Sequence, residues 1–268
     1  MLYGVGIVLG AMDPLEEVVA HKLFSFEVWG VEIAVSNHML MMGLAGLILV
    51  ILLPLSVRDK ALVPRGFGNF IESICVFLRE EVARPFLGSS TDKHIGFIWT
   101  MFFFILTMNL LGLVPIGKAI TVMTGKANHL EGAATANIWI VGALAMVAFL
   151  AIHVSGMREQ GLWNYVKNFA PKVPKPMVPF IYFMEIISAL VKPFSLAIRL
   201  FANMFAGHML IATLFVFIWI FKNYFAAAGS VLVAIPASLL EILVAVLQAY
   251  IFTFLTTIFM GFAVRPEH

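Results

Sequence analysis

Long apolar runs alternate with short polar stretches along the chain, and they predict helices that cross a membrane. A span needs about 20 apolar residues. Three runs approach that length: His38–Leu55, Phe97–Pro115 and Asn137–His153. Two longer runs follow, Pro179–Phe221 and Tyr224–Val264. We predict one long, bent, strongly tilted helix for each, packed as a hairpin, because the lone Pro193 would kink a helix rather than reverse it.

The segment 57–93 has a different pattern, in which apolar and charged residues fall on opposite sides of a helix. The apolar positions at helical spacing are Phe67, Phe70, Ile71, Ile74, Phe77 and Leu78. Charged residues such as Glu72 and Arg79 lie largely on the other side. This pattern predicts an amphipathic helix on the membrane surface. The expected fold class is therefore an all-α integral membrane protein with about five to six helices and one interfacial helix.

Composition agrees with a membrane protein and excludes several other classes. Hydrophobic residues make up 62% of the chain and charged residues only 12%, whereas soluble domains have about 45–50% and about 25%. The net charge of +2 and the lack of a basic run argue against nucleic acid as a partner. Cys75 is the only cysteine, so the chain cannot form an internal disulfide.

Basic residues predict how the chain is oriented. The loops 57–93 and 155–175 are rich in lysine and arginine, whereas the loop 116–136 has only Lys118 and Lys126. The positive-inside rule then places the two basic loops and the C-terminus in the cytoplasm and the N-terminus outside. We expect residues 1–36 to form an extracytoplasmic region and residues 37–268 a single membrane domain. A cleaved signal peptide is disfavoured, because no lysine or arginine precedes the first apolar residues.

Arg199 lies near the middle of the run Pro179–Phe221. An arginine at bilayer depth costs about 2.5–3.5 kcal/mol on insertion scales, and it keeps its charge at physiological pH. The nearest acidic residue, Glu185, is fourteen positions away, roughly 21 Å along a helix. Arg199 therefore needs an anion from elsewhere, a water-filled cavity, or both.

A helical wheel places Arg199 on a polar stripe. At about 100° per residue, six polar side chains share an arc of roughly 80°. They are Glu185, Ser188, Lys192, Ser195, Arg199 and Asn203. The stripe could simply face other helices, with Glu185 paired to Lys192, but this leaves Arg199 unexplained. For Arg199 we favour a polar face that meets a partner.

Three further polar residues lie at membrane depth. His208 falls on the opposite face of the same predicted helix, and Glu241 and Gln248 share one face of the next. A buried histidine and glutamate on adjacent helices suit a proton relay. They suit a structural pair equally well, and Glu241 and Gln248 could also serve as interhelical hydrogen-bonding groups.

Several motifs resemble subunit a of the F-type ATP synthase, the static part of its membrane proton turbine. The most specific ones are KPFSLAIRLFANM at 192–204 with AGH at 206–208, LEI at 240–242 and LQAYIF at 247–252. The upstream NLLGLVP, at 109–115, is similar to the family's second-span signature. The resemblance extends from about residue 37 to the C-terminus.

The resemblance implies roles for individual residues. Arg199 would be the essential arginine, and Gln248 would face it from the next helix. His208 and Glu241 would be the family's coupled histidine–glutamate pair, as in mitochondrial and related bacterial forms. The polar residues implied near the arginine or the access paths are Glu185, Asn203 and Ser195, with Lys192, Ser188 and Asn109 in support. At Gly112 some bacterial members carry an aspartate, which this chain lacks.

The resemblance also implies a mechanism and partners. The chain would not be an enzyme by itself and would bind no cofactor or metal. It would form two offset half-channels against a rotating ring of small c subunits, each with a midmembrane carboxylate. We expect Glu185, His208, Glu241 and Gln248 to line mainly the outer half-channel. Further expected partners are the peripheral-stalk b subunits, the rest of the complex and the lipid bilayer, in a bacterial plasma (inner) membrane.

Two other classes compete with this interpretation. A stand-alone secondary transporter or ion channel would also carry intramembrane charges, but such folds often show inverted repeats and helices broken in both halves, and the sequence has neither. A structural membrane subunit without a transport role would leave Arg199, His208 and Glu241 unexplained.

Overall fold

The computed structural model describes residues 22–28, 31–56, 66–114, 133–169, 174–221 and 224–265. The chain divides into two compact units. Unit 1 comprises residues 1–46, 106–141 and 199–248, and unit 2 comprises residues 47–105, 142–198 and 249–268. Most of the predicted outer loop 116–136 and the first 21 residues lie outside the described residues, so what we predict for them stays a prediction.

Helices dominate the described part of the chain. The main helices are α1 (Asn37–Ser56), α2 (Phe67–Phe77), α3 (Arg84–Leu87), α4 (Thr91–Leu113), α5 (Ile138–Gln160), α6 (Leu162–Lys167), α7 (Val178–Phe221) and α8 (Tyr224–Val264). A π-helical segment, Leu78–Ala83, joins α2 to α3, and short 3-10 turns occur at Gly88–Ser90, Ala134–Ala136 and Lys175–Met177.

Within the described residues, five helical stretches are long and apolar enough to cross a membrane. They are Asn37–Leu55, Phe67–Leu113, Ile138–Gln160, Val178–Leu214 and Ala228–Val264. The predicted all-α integral membrane fold is therefore confirmed.

The two longest helices match their predicted limits within a residue. α7 has 44 residues and contains Pro193 without ending there, and α8 has 41. At about 1.5 Å per residue α7 is roughly 66 Å long, about twice the hydrocarbon thickness of a bilayer. In unit 1 the helices run antiparallel, because Asn203 contacts Gln248 and the later Gly207 contacts the earlier Glu241. The predicted hairpin of long helices is present.

The predicted interfacial helix corresponds to α2, and its apolar side has two parts. Ile71 and Leu78 are buried, whereas Phe67, Phe70 and Phe77 are exposed. The helical path does not end after α2 but continues through the π-helical segment and α3 into α4. The exposed aromatic row suits contact with lipid.

The N-terminal region adds a β-hairpin that the sequence analysis did not predict. Strand β1 (Lys22–Val28) pairs antiparallel with β2 (Val31–Ser36), with Glu27 opposite Glu32. Only Trp29 and Gly30 separate the strands. A two-residue connection that ends in glycine between β-branched and aromatic runs is typical of a hairpin.

Unit 2 has an aliphatic core where α8 ends. The core consists of Ala83, Leu87, Ile95, Ile98, Met260 and Val264. The fit is close at Gly261, where an added Cβ atom would lie 2.9 Å from the Cβ atom of Phe86. This core holds the C-terminal end of α8 against α3 and α4.

Candidate functional site

Arg199 lies on an exposed face of α7 in unit 1. Its neighbours Leu200 and Met204 are buried, so α7 packs through their side and presents Arg199 on another. Among the described residues, none forms a hydrogen bond or an ion pair with the guanidinium group. A fixed positive charge therefore stands on the surface of a long apolar helix.

Asn203, one turn after Arg199, links α7 to α8. Its Nδ2 atom donates a hydrogen bond to Oε1 of Gln248 at 3.0 Å. Gln248 is buried and Asn203 is partly buried. The two residues are thus joined directly at one end of the polar stripe.

Asn109 and Gly112 bring α4 close to its neighbours in unit 1. Asn109 is buried, and its Nδ2 atom donates to the carbonyl oxygen of Ala245 at 3.0 Å. A Cβ atom at Gly112 would come within 2.9 Å of the Cα atom of Ala133 and closer still to its Cβ atom. An aspartate at this position would therefore require a backbone shift in this chain.

Glu241 lies against α7 within unit 1. Its side chain is buried, and a Cβ atom added at Gly207 would lie 2.6 Å from Oε1 and 2.9 Å from Cδ. The bare backbone of Gly207 therefore makes room for the carboxyl group. His208, the next residue, is partly buried. Unit 1 thus contains both members of the expected histidine–glutamate pair.

Glu185 and Lys192 belong to unit 2. Lys192 Nζ lies 3.7 Å from Glu185 Oε1, with about a third of each side chain exposed, and 5.0 Å from the centre of the Phe259 ring. The ion pair that the alternative, structural interpretation of the stripe contains is therefore present. Of the two serines on the stripe, Ser188 is partly buried and Ser195 is exposed.

A cavity of about 130 Å³ in unit 2 contains this ion pair. Helices α5 to α8 contribute to its wall. The polar residues of the lining are His153, Gln160, Tyr165, Asn168, Glu185 and Lys192. The α8 side is apolar, with Phe259, Phe262 and Ala263.

Hydrogen bonds connect the polar residues of this cavity. The Nδ1 atom of His153 lies 2.5 Å from the Tyr165 hydroxyl. Asn168 donates to Oε1 of Gln160 at 3.2 Å, and Gln160 donates to the Ala263 carbonyl at 2.6 Å. Burial raises the pKa of Tyr165 to about 12, with a further contribution from the negative charge of Glu185. Tyr165 therefore remains a neutral hydroxyl that can both donate and accept.

The four residues expected in the outer half-channel belong to two different units. His208, Glu241 and Gln248 belong to unit 1, but Glu185 belongs to unit 2. Glu185 and His208 are 23 positions apart on α7, roughly 35 Å at helical rise and more than the hydrocarbon thickness. The assignment of Glu185 to the outer half-channel stays a prediction.

His153 and Tyr165 were missed by the sequence analysis. His153 is the last residue of the third apolar run, and Tyr165 lies in the basic loop that follows. A wheel drawn for one helix cannot reveal a contact between two helices joined by a turn. The available signal was a histidine at the end of an apolar run with a tyrosine twelve positions later.

Comparisons with known proteins agree with these observations. The model of the ATP synthase A chain family matches residues 39–261. ATP synthase subunit a of Chloroherpeton thalassium is 37% identical over 96% of this chain and 78% of its own length. ATP synthase subunit a 2 of Chlorobaculum tepidum is 36% identical over 94% of this chain and 69% of its own length.

A third relative is considerably longer than this chain. ATP synthase subunit a of Anaeromyxobacter dehalogenans strain 2CP-C is 37% identical over 84% of this chain, which spans 57% of that relative. With its apolar helices and the family match over most of its length, the chain belongs to the ATP synthase A chain family, as a non-catalytic, multi-pass Fo subunit of the F1Fo ATP synthase.

Proposed function

We propose that this protein moves protons between two offset aqueous half-channels that meet a rotating ring of c subunits. In this proposal Arg199 favours deprotonation of the ring carboxyl group and blocks direct proton passage between the half-channels. The observation that supports it best is the exposed guanidinium on α7, which has no hydrogen-bonding or ionic partner among the described residues. A midmembrane carboxylate on the ring would supply the missing anion.

The surroundings of each ring carboxyl group determine whether it is protonated or ionised. A carboxyl group that faces lipid must be protonated, because an ionised one is costly to bury. Near Arg199 the ionised form is favoured, so a proton can leave to one half-channel and another can arrive from the other. Each charge that crosses the membrane carries about 2.3 kcal/mol per 100 mV, which rotation transmits to the rest of the complex.

For the outer half-channel we propose the buried and partly buried polar residues of unit 1. These residues are Asn109, Asn203, His208, Glu241 and Gln248. Asn109 Oδ1 and Gln248 Nε2 are buried and have no hydrogen-bond partner among the described residues. Buried polar atoms of this kind are usually satisfied by ordered water, which supports a hydrated path here.

For the cytoplasmic half-channel we propose the cavity of unit 2, with Glu185 and Lys192 in its lining. Tyr165 and Asn168 of this lining come from the segment 155–175, whose basic residues favour the cytoplasm. The sequence analysis predicts Glu185 in the outer half-channel. This proposal assigns it to the cytoplasmic half-channel instead.

We further propose a bacterial plasma (inner) membrane location with the N-terminus outside and the C-terminus in the cytoplasm. The c-ring and the peripheral-stalk b subunits would be the direct partners. Exposed apolar side chains on the long helices, such as Phe194 on α7 and Leu243 on α8, offer surfaces for the ring or for lipid.

Substitution of Arg199 tests this function. Arg199→Ala should abolish ATP synthesis and ATP-driven proton pumping in membrane vesicles that contain the complete synthase. Arg199→Lys should remove most of both activities, since lysine is a different donor and can lose its proton. Val50→Ala, at an exposed apolar position of α1, serves as the control. Normal coupling in Arg199→Ala would contradict the proposal.

A further inference from the structure

We propose that His153, hydrogen-bonded to Tyr165, is a proton-binding group of the cytoplasmic half-channel. This inference rests on the proposed function, and it adds a proton acceptor that neither the motifs nor the polar stripe contains. The pair would take up protons released on the cytoplasmic side and pass them to water, or carry them in the reverse direction.

The geometry of the cavity carries the inference. His153 and Tyr165 both line it, and both are only partly buried. The ring nitrogen and the hydroxyl are 2.5 Å apart, so a proton can move along this contact. Gln160 and Asn168 continue the polar lining on the same side of the cavity.

The chemistry of the two groups suits proton transfer. Imidazole is the side chain that changes charge between about pH 5 and 8, and it can bind a proton at one nitrogen and release one from the other. Neutral His153 can accept the Tyr165 hydroxyl proton as a hydrogen bond at Nδ1. When His153 is protonated, Nδ1–H donates and the hydroxyl oxygen accepts.

Charged groups from the neighbouring helices set the electrostatic surroundings of the pair. Helix α7 contributes Glu185, which favours the imidazolium, and Lys192, which opposes it; their atoms are 3.7 Å apart, so their fields partly cancel. Helix α6 contributes Tyr165. The α8 part of the described cavity lining has no titratable side chain. Among the described residues, no carboxylate forms an ion pair with the ring that would hold it in its charged form.

A purely structural role is the competing explanation. The His153 ring also packs edge-on against Phe149, with centroids 4.1 Å apart, and approaches Phe169 at 6.2 Å. His153→Phe keeps an aromatic ring in this cluster but cannot bind a proton. His153→Ala removes the ring and leaves space for imidazole from solution.

The test measures two proton fluxes in membrane vesicles. One is ATP-driven pumping by the complete synthase, and the other is passive flux after removal of F1. Both are measured between about pH 5 and 8. We expect His153→Phe to lose flux several-fold and to lack one inflection of the wild-type pH profile. Tyr165→Phe should keep that inflection at a shifted pH. Added imidazole should restore flux to His153→Ala but not change the wild type.

His94→Phe is the matched control. His94 lies on α4 in the same unit, bonds to the Ser90 carbonyl at 2.9 Å and does not line the cavity. We expect the His94→Phe variant to keep the wild-type pH profile of proton flux.

Two results would overturn the inference. One is a wild-type rate and profile in His153→Phe with a normal amount of assembled complex. The other is a loss that neither depends on pH nor responds to imidazole. If the complex with His153→Phe does not assemble, two other results decide between a proton-binding and a structural role. They are the pH profile of Tyr165→Phe and the effect of imidazole on His153→Ala. Arg199→Ala tests the proposed function separately, so the two ideas can fail independently.

Discussion

At the scale of single residues, the contact between Glu241 and Gly207 shows how the lack of a side chain at one position makes room for a carboxyl group at another. The buried carboxyl group lies so close to the α7 backbone that a Cβ atom at Gly207 would be 2.6 Å from Oε1. The carboxyl group can keep this place only while position 207 has no side chain. Glycine is therefore a positioning residue here, although it has no proton to transfer.

Gly207→Ala should move Glu241 and lower ATP-driven proton pumping several-fold. Overpacking of this kind usually costs about 1–3 kcal/mol. Gly43→Ala on α1 is the control, because a Cβ atom there would have no other atom within 4 Å. Pumping by vesicles of both variants, normalised to the content of assembled complex, checks the prediction. Equal pumping rates for the two variants would show that pumping does not depend on the position that Gly207 allows Glu241 to take.

Some of the candidate residues could be predicted from the sequence and others could not. Arg199 stood out because its charge at membrane depth is costly and has no nearby counter-ion in the chain. The wheel also identified Glu185 and Lys192 as a pair. Contacts between helices, such as His153 with Tyr165, depend on how turns fold back. No periodicity in one helix contains that information.

At the scale of elements, prediction succeeded where a single physical signal dominates. The limits of α7 and α8 follow from two long apolar runs, and within Pro179–Phe221 no cluster of glycine, proline and asparagine offers a turn. The β-hairpin could not be predicted from the charge and apolarity of residues 1–36, because the signal for strands is the alternation of side chains. The helical connection from α2 to α4 was missed because charged residues there suggested a loop, although helices tolerate exposed charges.

The close approach of α4 to its neighbours gives a prediction at this scale. Gly112→Ala should destabilise the protein by about 1–3 kcal/mol, because the new Cβ atom would overlap Ala133, including its backbone. Gly96→Ala, on the same helix, is the control, since its Cβ atom would have no other atom within 4 Å. The midpoint of thermal denaturation of the purified complex measures both. A midpoint for Gly112→Ala as high as that for Gly96→Ala would mean that the helices separate easily there.

At the scale of the whole molecule, the proposed half-channels require a definite orientation. The cavity of unit 2 can serve the cytoplasmic side only if the loop that contains α6 lies there. The N-terminal hairpin must then lie outside if α1, α4 and α5 each cross the membrane once, because an odd number of crossings separates it from α6. The fold by itself is compatible with either orientation, so labelling from the two sides must decide.

Single cysteines introduced into a Cys75→Ser background test this orientation. Serine keeps the backbone carbonyl of position 75, which accepts the Trp99 indole hydrogen bond at 3.0 Å. Glu27→Cys on β1 and Asn164→Cys on α6 are both at exposed positions. A membrane-impermeant maleimide should label Glu27→Cys only in right-side-out vesicles and Asn164→Cys only in inverted ones. The reverse pattern would place the cavity of unit 2 on the outer side, and Glu185 would then return to the outer half-channel.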